Sequence, residues 1–315
     1  MCTAIGLHFG NRFFGRNLDL EQHFGERIVL TPRGFSLPHR YEKETVTRFA
    51  LLGMAAVRDG FPLYAEAINE KGLAMAGLNF VGNAAYFDEP DAKKTNITTF
   101  ELIPWVLGQA ETIGRAGELL NNLHLMSTAF EDQLPPGELH WFLTDGEESL
   151  VLECTKEGIR LYNDPLCVLT NNPPFRFQLA ASLPFLGSRQ QAVRGLLQEL
   201  GISAESLGST GNTIPGDYSS TARFARASWL VQSAKTLGAA EADLATCFQI
   251  LSAVAPVHGS VTGVHQKEHY TLYTVCANLS RGEFYWRGSD SPNTVTVRFA
   301  DFQQNADRLV IIDPT

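Results

Sequence analysis

Apolar, strand-like stretches come in blocks, and pairs of helical patterns separate the blocks. That order restricts the fold more than any other feature of the chain. TAIGLHF, RFFGRN, RIVLTP, RFALLGMA, PLYAEAIN and GLAMAGLNF read as strands with turn residues between them. TTFELIPWVLGQA, interrupted by Pro104, and ETIGRAGELLNNL read as helices. A second strand block follows: ELHWFLTD, SLVLECT, GIRLYN and CVLTN. Helical spacing returns near residues 177–200, in SSTARFARASWLVQSAKTL and in EADLATCFQILSAVA, and YTLYTVCANLS, EFYWRG and NTVTVRF end the chain as strands. Strict βαβ alternation would call for a parallel sheet. Blocks of strands and pairs of helices favour an α+β fold, with antiparallel sheets inside and helices outside. No repeat or linker interrupts the 315 residues, so 1–315 reads as one domain, and 44% hydrophobic residues supply its core.

Several function classes are excluded at this level. The formal net charge is -9, without the basic footprint of a nucleic-acid partner. No apolar run approaches the roughly 20 residues that a membrane helix needs. The N-terminus lacks the charged and apolar regions of a secretory signal, so cytoplasmic residence is the default expectation. Five cysteines, an odd number at wide spacing, argue against a disulfide scaffold. HQKEH at 265–269 fits an H-x-x-E-H zinc pattern, but that chemistry needs both histidines on one helix face. Here the segment lies between GSVTG and a strand, so a turn is expected and no metal.

The opening MCTAIG places cysteine directly behind methionine. Methionine is removed when the next side chain is small, which would leave Cys2 with a thiol and a free α-amine. An α-amine titrates near about 7.7–8.0, so one residue can supply both nucleophile and general base. Alone, a lone cysteine is weak evidence. A hairpin returning through FFGRNLD would bring Arg16 and Asp19 beside residue 2, because antiparallel neighbours lie about 5 Å apart. Arg16 would then stabilise the thiolate and Asp19 would hold the ammonium. The plainer reading is a surface ion pair worth ~0–1 kcal/mol; the apolar context FFGRNL argues against it.

MCTAIG, FFGRNLD, GLNFVGNAAY, VLTNNPPF and PGDYSSTARF, taken together and in order, resemble the choloylglycine hydrolase family of N-terminal-nucleophile amidases. That family includes bile salt hydrolases and penicillin V acylases. The resemblance implies a four-layer αββα sandwich of two antiparallel sheets flanked by helices. It implies that Cys2 is the nucleophile, that Arg16 and Asp19 flank it, and that Arg223 supports the charge network. Asn171, with Asn172 beside it as the alternative, matches an oxyanion-hole donor. Asn79 matches a second donor, at a position where bile salt hydrolases tend to carry Asn and penicillin V acylases Tyr. The implied reaction is hydrolysis of the amide of a glycine- or taurine-conjugated bile salt through a thioester, without metal or cofactor. The implied assembly is a homotetramer, for which Trp229 or Trp286 offer interface aromatics.

A steroid nucleus needs an apolar trough. Leu18, Leu20 and Phe24 after the first hairpin, Phe61 in the GFPLY turn, and Phe130 and Leu134 in the lid-like STAFEDQLPPG are the expected lining. The rival readings are penicillin V or an N-acyl lactone on the same machinery, and a non-catalytic steroid-binding protein.

Overall fold

The computed structural model describes residues 1–186, 195, 198–201, 214–236, 243–262 and 267–314. In chain order the elements are β1 (Cys2–Phe9), β2 (Asn11–Leu20), β3 (Arg27–Thr31), β4 (Ser36–Leu37), β5 (Thr45–Val46), β6 (Leu51–Arg58), β7 (Phe61–Asn69), β8 (Ala74–Asn79) and β9 (Thr95–Thr98). Helices α1 (Leu102–Gln109) and α2 (Ile113–Asn121) follow, then β10 (Leu123–Met126), β11 (Leu139–Thr144), β12 (Ser149–Thr155), β13 (Gly158–Asn163) and β14 (Val168–Leu169). Helices α3 (Phe175–Leu186), α4 (Ser220–Ala234) and α5 (Leu244–Ser252) precede β15 (Tyr270–Asn278), β16 (Glu283–Gly288), β17 (Val295–Arg298) and β18 (Val310–Ile312).

Two antiparallel sheets are stacked. One has six strands in the order β14-β1-β2-β15-β16-β17, the other eight in the order β13-β12-β11-β8-β7-β6-β3-β18. One buried cluster joins Ile5, Leu7 and Leu18 of the first sheet to Leu52, Ala76 and Phe142 of the second, and continues to Phe224, Val231 and Leu251 of α4 and α5. A second cluster seats Leu102 and Val106 of α1 and Ala116 and Leu120 of α2 against Leu51, Met75 and Trp141. The layers are therefore αββα, as the family resemblance implies and in agreement with the strand and helix order.

The structure departs from the sequence reading in four places. Pro104 does not interrupt α1: it is the third residue of that helix, in the first turn, where a missing N–H costs nothing. β9 and β10 form a short parallel pair around α1 and α2; four residues are too few for alternation to show. A fourth late strand, β18, pairs with β3 and ends the larger sheet. Trp286 is not an interface residue but is buried, 6% exposed, against the Tyr273 ring. His265 of the HQKEH segment lies outside the described residues. Its described end, Glu268, bridges Thr262 in extended backbone and leads into β15.

The two sheets are tied by one buried ion pair. Regular alternation would put Tyr64 and Glu66 on the same face of β7. A bulge intervenes: Ala55 pairs with Tyr64 and Met54 with Glu66, leaving Ala65 as the extra residue. Tyr64 joins the helix-side cluster, whereas Glu66 turns to the other sheet and accepts from Arg16 Nη1 through Oε2. The strands close tightly beside the bulge. A Cβ on Gly53 would lie 2.1 Å from the Glu66 carbonyl oxygen, so only glycine fits.

The strand that carries Cys2, β1, is held on its other side by β14, through Ala4–Leu169 and Ile5–Val168. The Asp164 carboxylate sets that strand's start by accepting from Leu166 N at 2.9 Å and Val168 N at 2.7 Å.

Two outcomes follow from these ties. Glu66→Ala leaves the Arg16 guanidinium buried and unpaired, and urea denaturation should show a loss of about 3–5 kcal/mol. Glu66→Gln, which keeps an acceptor, should cost less. Burial pushes the Asp164 carboxyl up to about 7, against its backbone donors. The folded state thus holds this proton more tightly than the unfolded chain, whose carboxyl titrates near about 4. The stability contributed by Asp164 is complete below that value and is lost as pH rises through about 7. Denaturation midpoints between these pH values should fall for the wild type and fall less for Asp164→Asn.

Candidate active site

β1 and β2 form a hairpin reversed at Gly10, φ 86°, in which Cys2 pairs with Leu18 and Ala4 with Arg16. Alternation then sorts the site by face. Residues 2, 16 and 18 point between the sheets. Thr3, Asn17 and Asp19 point to the helix layer, where they meet Arg223 of α4 and, for Asn17, the Leu251 carbonyl. Arg16 and Asp19 therefore do not flank the sulfur as a pair. Arg16 alone reaches it, Nη2 donating to Cys2 Sγ at 3.5 Å and to Gly77 O at 2.7 Å. Tyr273 supports this group from β15, its hydroxyl donating to Glu66 Oε1 at 2.9 Å. Burial pushes the Tyr273 phenol up, so it keeps its proton.

The Cys2 nitrogen has its own partners. It donates to Asn171 Oδ1 at 2.7 Å, and Arg223 Nη2 donates to the same oxygen at 2.8 Å. Two obligate donors fix which end of the Asn171 amide is oxygen. Its Nδ2 donates to the Asn79 carbonyl at 2.9 Å and has a second hydrogen to offer. The Asn79 side-chain amide has no hydrogen-bond partner among the described residues. Asn172 is turned away: its Nδ2 donates to Val81 O and its Oδ1 accepts from Asn83. Arg223 Nη1 also donates to Cys2 O and, at 2.8 Å, to Thr3 Oγ1.

Asp19 is wholly buried. Its Oδ1 accepts from Thr271 Oγ1 at 2.7 Å, while Oδ2 has no hydrogen bond and lies 3.8 Å from Arg223 Nη1. Burial pushes the Asp19 carboxyl up and the Arg223 guanidinium down, each opposed by the other's charge. Met1 extends β1 beside it: the Met1 ammonium donates to the Asp19 carbonyl at 2.5 Å.

An apolar cavity of about 260 Å³ is lined by residues of β6, β7 and β11 and by the segment from Phe130 to Gly137. Phe24, Phe130 and Leu134 line it, together with Phe100, Ala65 and Leu139. Phe24 and Leu134 are each 38% exposed, an apolar rim of the kind that marks a binding surface. Leu139 is the cross-strand partner of Asn79, so the cavity wall leads to the site. Phe61 stands behind that wall, edge-on to Phe100 and tilted against Phe130. Leu18 is not in the cavity but in the core between the sheets, and Leu20 is half-buried against that core. Arg40 holds the segment that carries Phe130, donating to the Phe130 carbonyl at 2.7 Å with its guanidinium over the Phe130 ring.

Sequence reasoning missed Glu66, Tyr273 and Arg40. The signal for Glu66 was present: a single carboxylate within the apolar PLYAEAIN. All five cysteines are buried and free, and no group of three or more metal-ligating side chains occurs among the described residues.

A family model described as linear amide C–N hydrolases, choloylglycine hydrolase family, matches residues 2–312. A bile salt hydrolase/transferase of Lactiplantibacillus plantarum is 37% identical over 292 residues, 92% of this chain and 90% of that protein. A conjugated bile acid hydrolase of Lactobacillus gasseri is 34% identical, covering 98% and 99%. Among solved structures, the C2A mutant of the conjugated bile acid hydrolase from Clostridium perfringens superposes with a TM-score of 0.88 at 30% identity, covering 99% of this chain and 97% of that one. Penicillin V acylase from Agrobacterium tumefaciens, at 18% identity and a TM-score of 0.76 over 99% and 91% of the two chains, shares the fold. With its layers, its hairpin-borne cysteine and a family match over nearly its whole length, the chain belongs to the choloylglycine hydrolase family of linear amide C–N hydrolases.

Proposed function

We propose that the chain hydrolyses the amide joining a steroid acid to glycine or taurine, with Cys2 as nucleophile. The observation that carries this reading is the double hold on Cys2. Its sulfur rests against Arg16, and its nitrogen is bonded to Asn171. Removal of Met1 turns that peptide nitrogen into an amine. The amine takes the thiol proton as Cys2 attacks the carbonyl, so that no second side chain is required as base. Asp19 Oδ2, buried and without a hydrogen bond, is the acceptor for the ammonium so formed. The Asn79 amide and the second hydrogen of Asn171 Nδ2 are the oxyanion donors. The leaving glycine or taurine takes the proton from the ammonium, and water then hydrolyses the thioester.

The substrate assignment rests on Asn79 and on the cavity beside it. Apolar burial is worth ~25 cal/mol per Å², so a large rigid nucleus gains more from that cavity than a phenoxy group does. The names of the bacterial relatives support the same choice. Cytoplasmic residence, a single domain over 1–315 and assembly as a homotetramer belong to the same proposal.

Three measurements test it. A residue too large for methionine removal, inserted between Met1 and Cys2, should leave a folded protein with turnover reduced by at least ~10³. Full activity of that chain would overturn the amine's role. Conjugated bile salts should be cleaved with far higher kcat/KM than penicillin V, and a reversed preference would reassign the substrate. Asn79→Tyr should lower bile salt turnover by ~10²–10³, the cost of one oxyanion donor, and lower penicillin V turnover less.

A further inference from the structure

A buried histidine outside the reaction centre touches the neighbours of both asparagine donors. His140 of β11 is wholly buried. Its ring stacks on Phe80, centroids 4.4 Å apart and planes 5° apart, and Phe80 directly follows Asn79. Its Nε2 donates to the carbonyl of Thr170, which directly precedes Asn171, at 3.0 Å. Its Nδ1 lies 3.2 Å from Glu153 Oε1. The same Oε1 accepts from Phe175 N at 2.8 Å, at the far end of the turn that carries Asn171. The pair thus grips the 170–175 turn at both ends, and the ring also grips the end of β8.

We propose that His140, braced by Glu153, is a positioning residue that fixes the separation of the Asn79 and Asn171 donors around the scissile carbonyl. The inference rests on the donor roles proposed above. Asn79 and Asn171 come from different segments, the end of β8 and the turn after β14. Their direct link is a single hydrogen bond, Asn171 Nδ2 to Asn79 O. The amide that makes that link must also face the substrate, so it cannot by itself set the spacing. The imidazole does so from behind, with a flat contact on one side and a directed bond on the other. A misplacement of about 1 Å in such a site costs ~10² in rate.

The test is a double-mutant cycle. His140→Phe keeps the ring stack and removes both ring hydrogen bonds, and Asn171→Ala removes the donor that the histidine is said to place. On a glycine-conjugated bile salt, His140→Phe should lower kcat ~10–100-fold with KM within about twofold. In the Asn171→Ala background the same change should cost less than about twofold. Alkylation of Cys2 by iodoacetamide, which develops no oxyanion, should keep its wild-type rate. Should His140→Phe not fold, His140→Gln, which retains one donor, carries the same cycle and should lose less in kcat. Equal losses in both backgrounds, an alkylation rate that falls in step with kcat, or an unchanged kcat would each overturn the proposal. If the wild type cleaves penicillin V and not the bile salt, the substrate reading has failed, and the cycle is decided on penicillin V.

Discussion

A guanidinium sealed between two sheets governs this molecule. Arg16 is 2% exposed, and leaving a charge unpaired at that depth is costly. Its partners must therefore be built in: a carboxylate from β7, a carbonyl from β8 and the sulfur of Cys2. The β7 bulge exists where it does because Glu66 has to turn away from the face of Tyr64. The closeness of β6 and β7 at Gly53 then follows from the bulge, and Tyr273 donates to the carboxylate's other oxygen. Stability and reactivity share these atoms. The arginine that ties the sheets together is also the cation beside the Cys2 sulfur.

The pleat divides the labour. On the inner face lie the sulfur, Arg16 and Glu66; on the outer face lie Thr3, Asp19 and Arg223. Only the end of the strand is reachable from both sides, and there the Cys2 nitrogen meets Asn171. A residue that opens a strand can thus have its side chain contacted from one layer and its main-chain nitrogen from another. The same residue in mid-strand would have one face only.

Much of this was legible in the chain, and the gaps have physical causes. Antiparallel sheets with helices outside follow from strand blocks and helix pairs, and the four-layer order from the family resemblance. The hairpin through FFGRNLD follows from alternation, which also puts Arg16 and Asp19, three residues apart, on opposite faces. Glu66 was not found because its orientation depends on a bulge, which depends on packing between β6 and β7 rather than on local preference. Leu18 reads as pocket by its apolar neighbours, yet register with Cys2 commits it to the core. Phe24, Phe130 and Leu134 reach the cavity because they sit in loops, where register imposes no face. His140 carries no local mark; its meaning comes from Thr170 and Phe80, which the fold alone brings to it.

The pairing of β2 with β15 sets an order of events during synthesis. Asp19 and Thr271 are 252 residues apart in the chain, and Glu66 and Tyr273 are 207 apart. The hairpin with Cys2 leaves the ribosome long before β15, the strand that pairs with it and supplies the hydroxyl partners of Asp19 and Glu66. Pairings this distant form slowly, because loop closure must precede any gain from contact. A chain made only as far as the first hairpin therefore carries the cysteine without its assembled surroundings, and the surroundings of Cys2 are among the later parts of the fold to form.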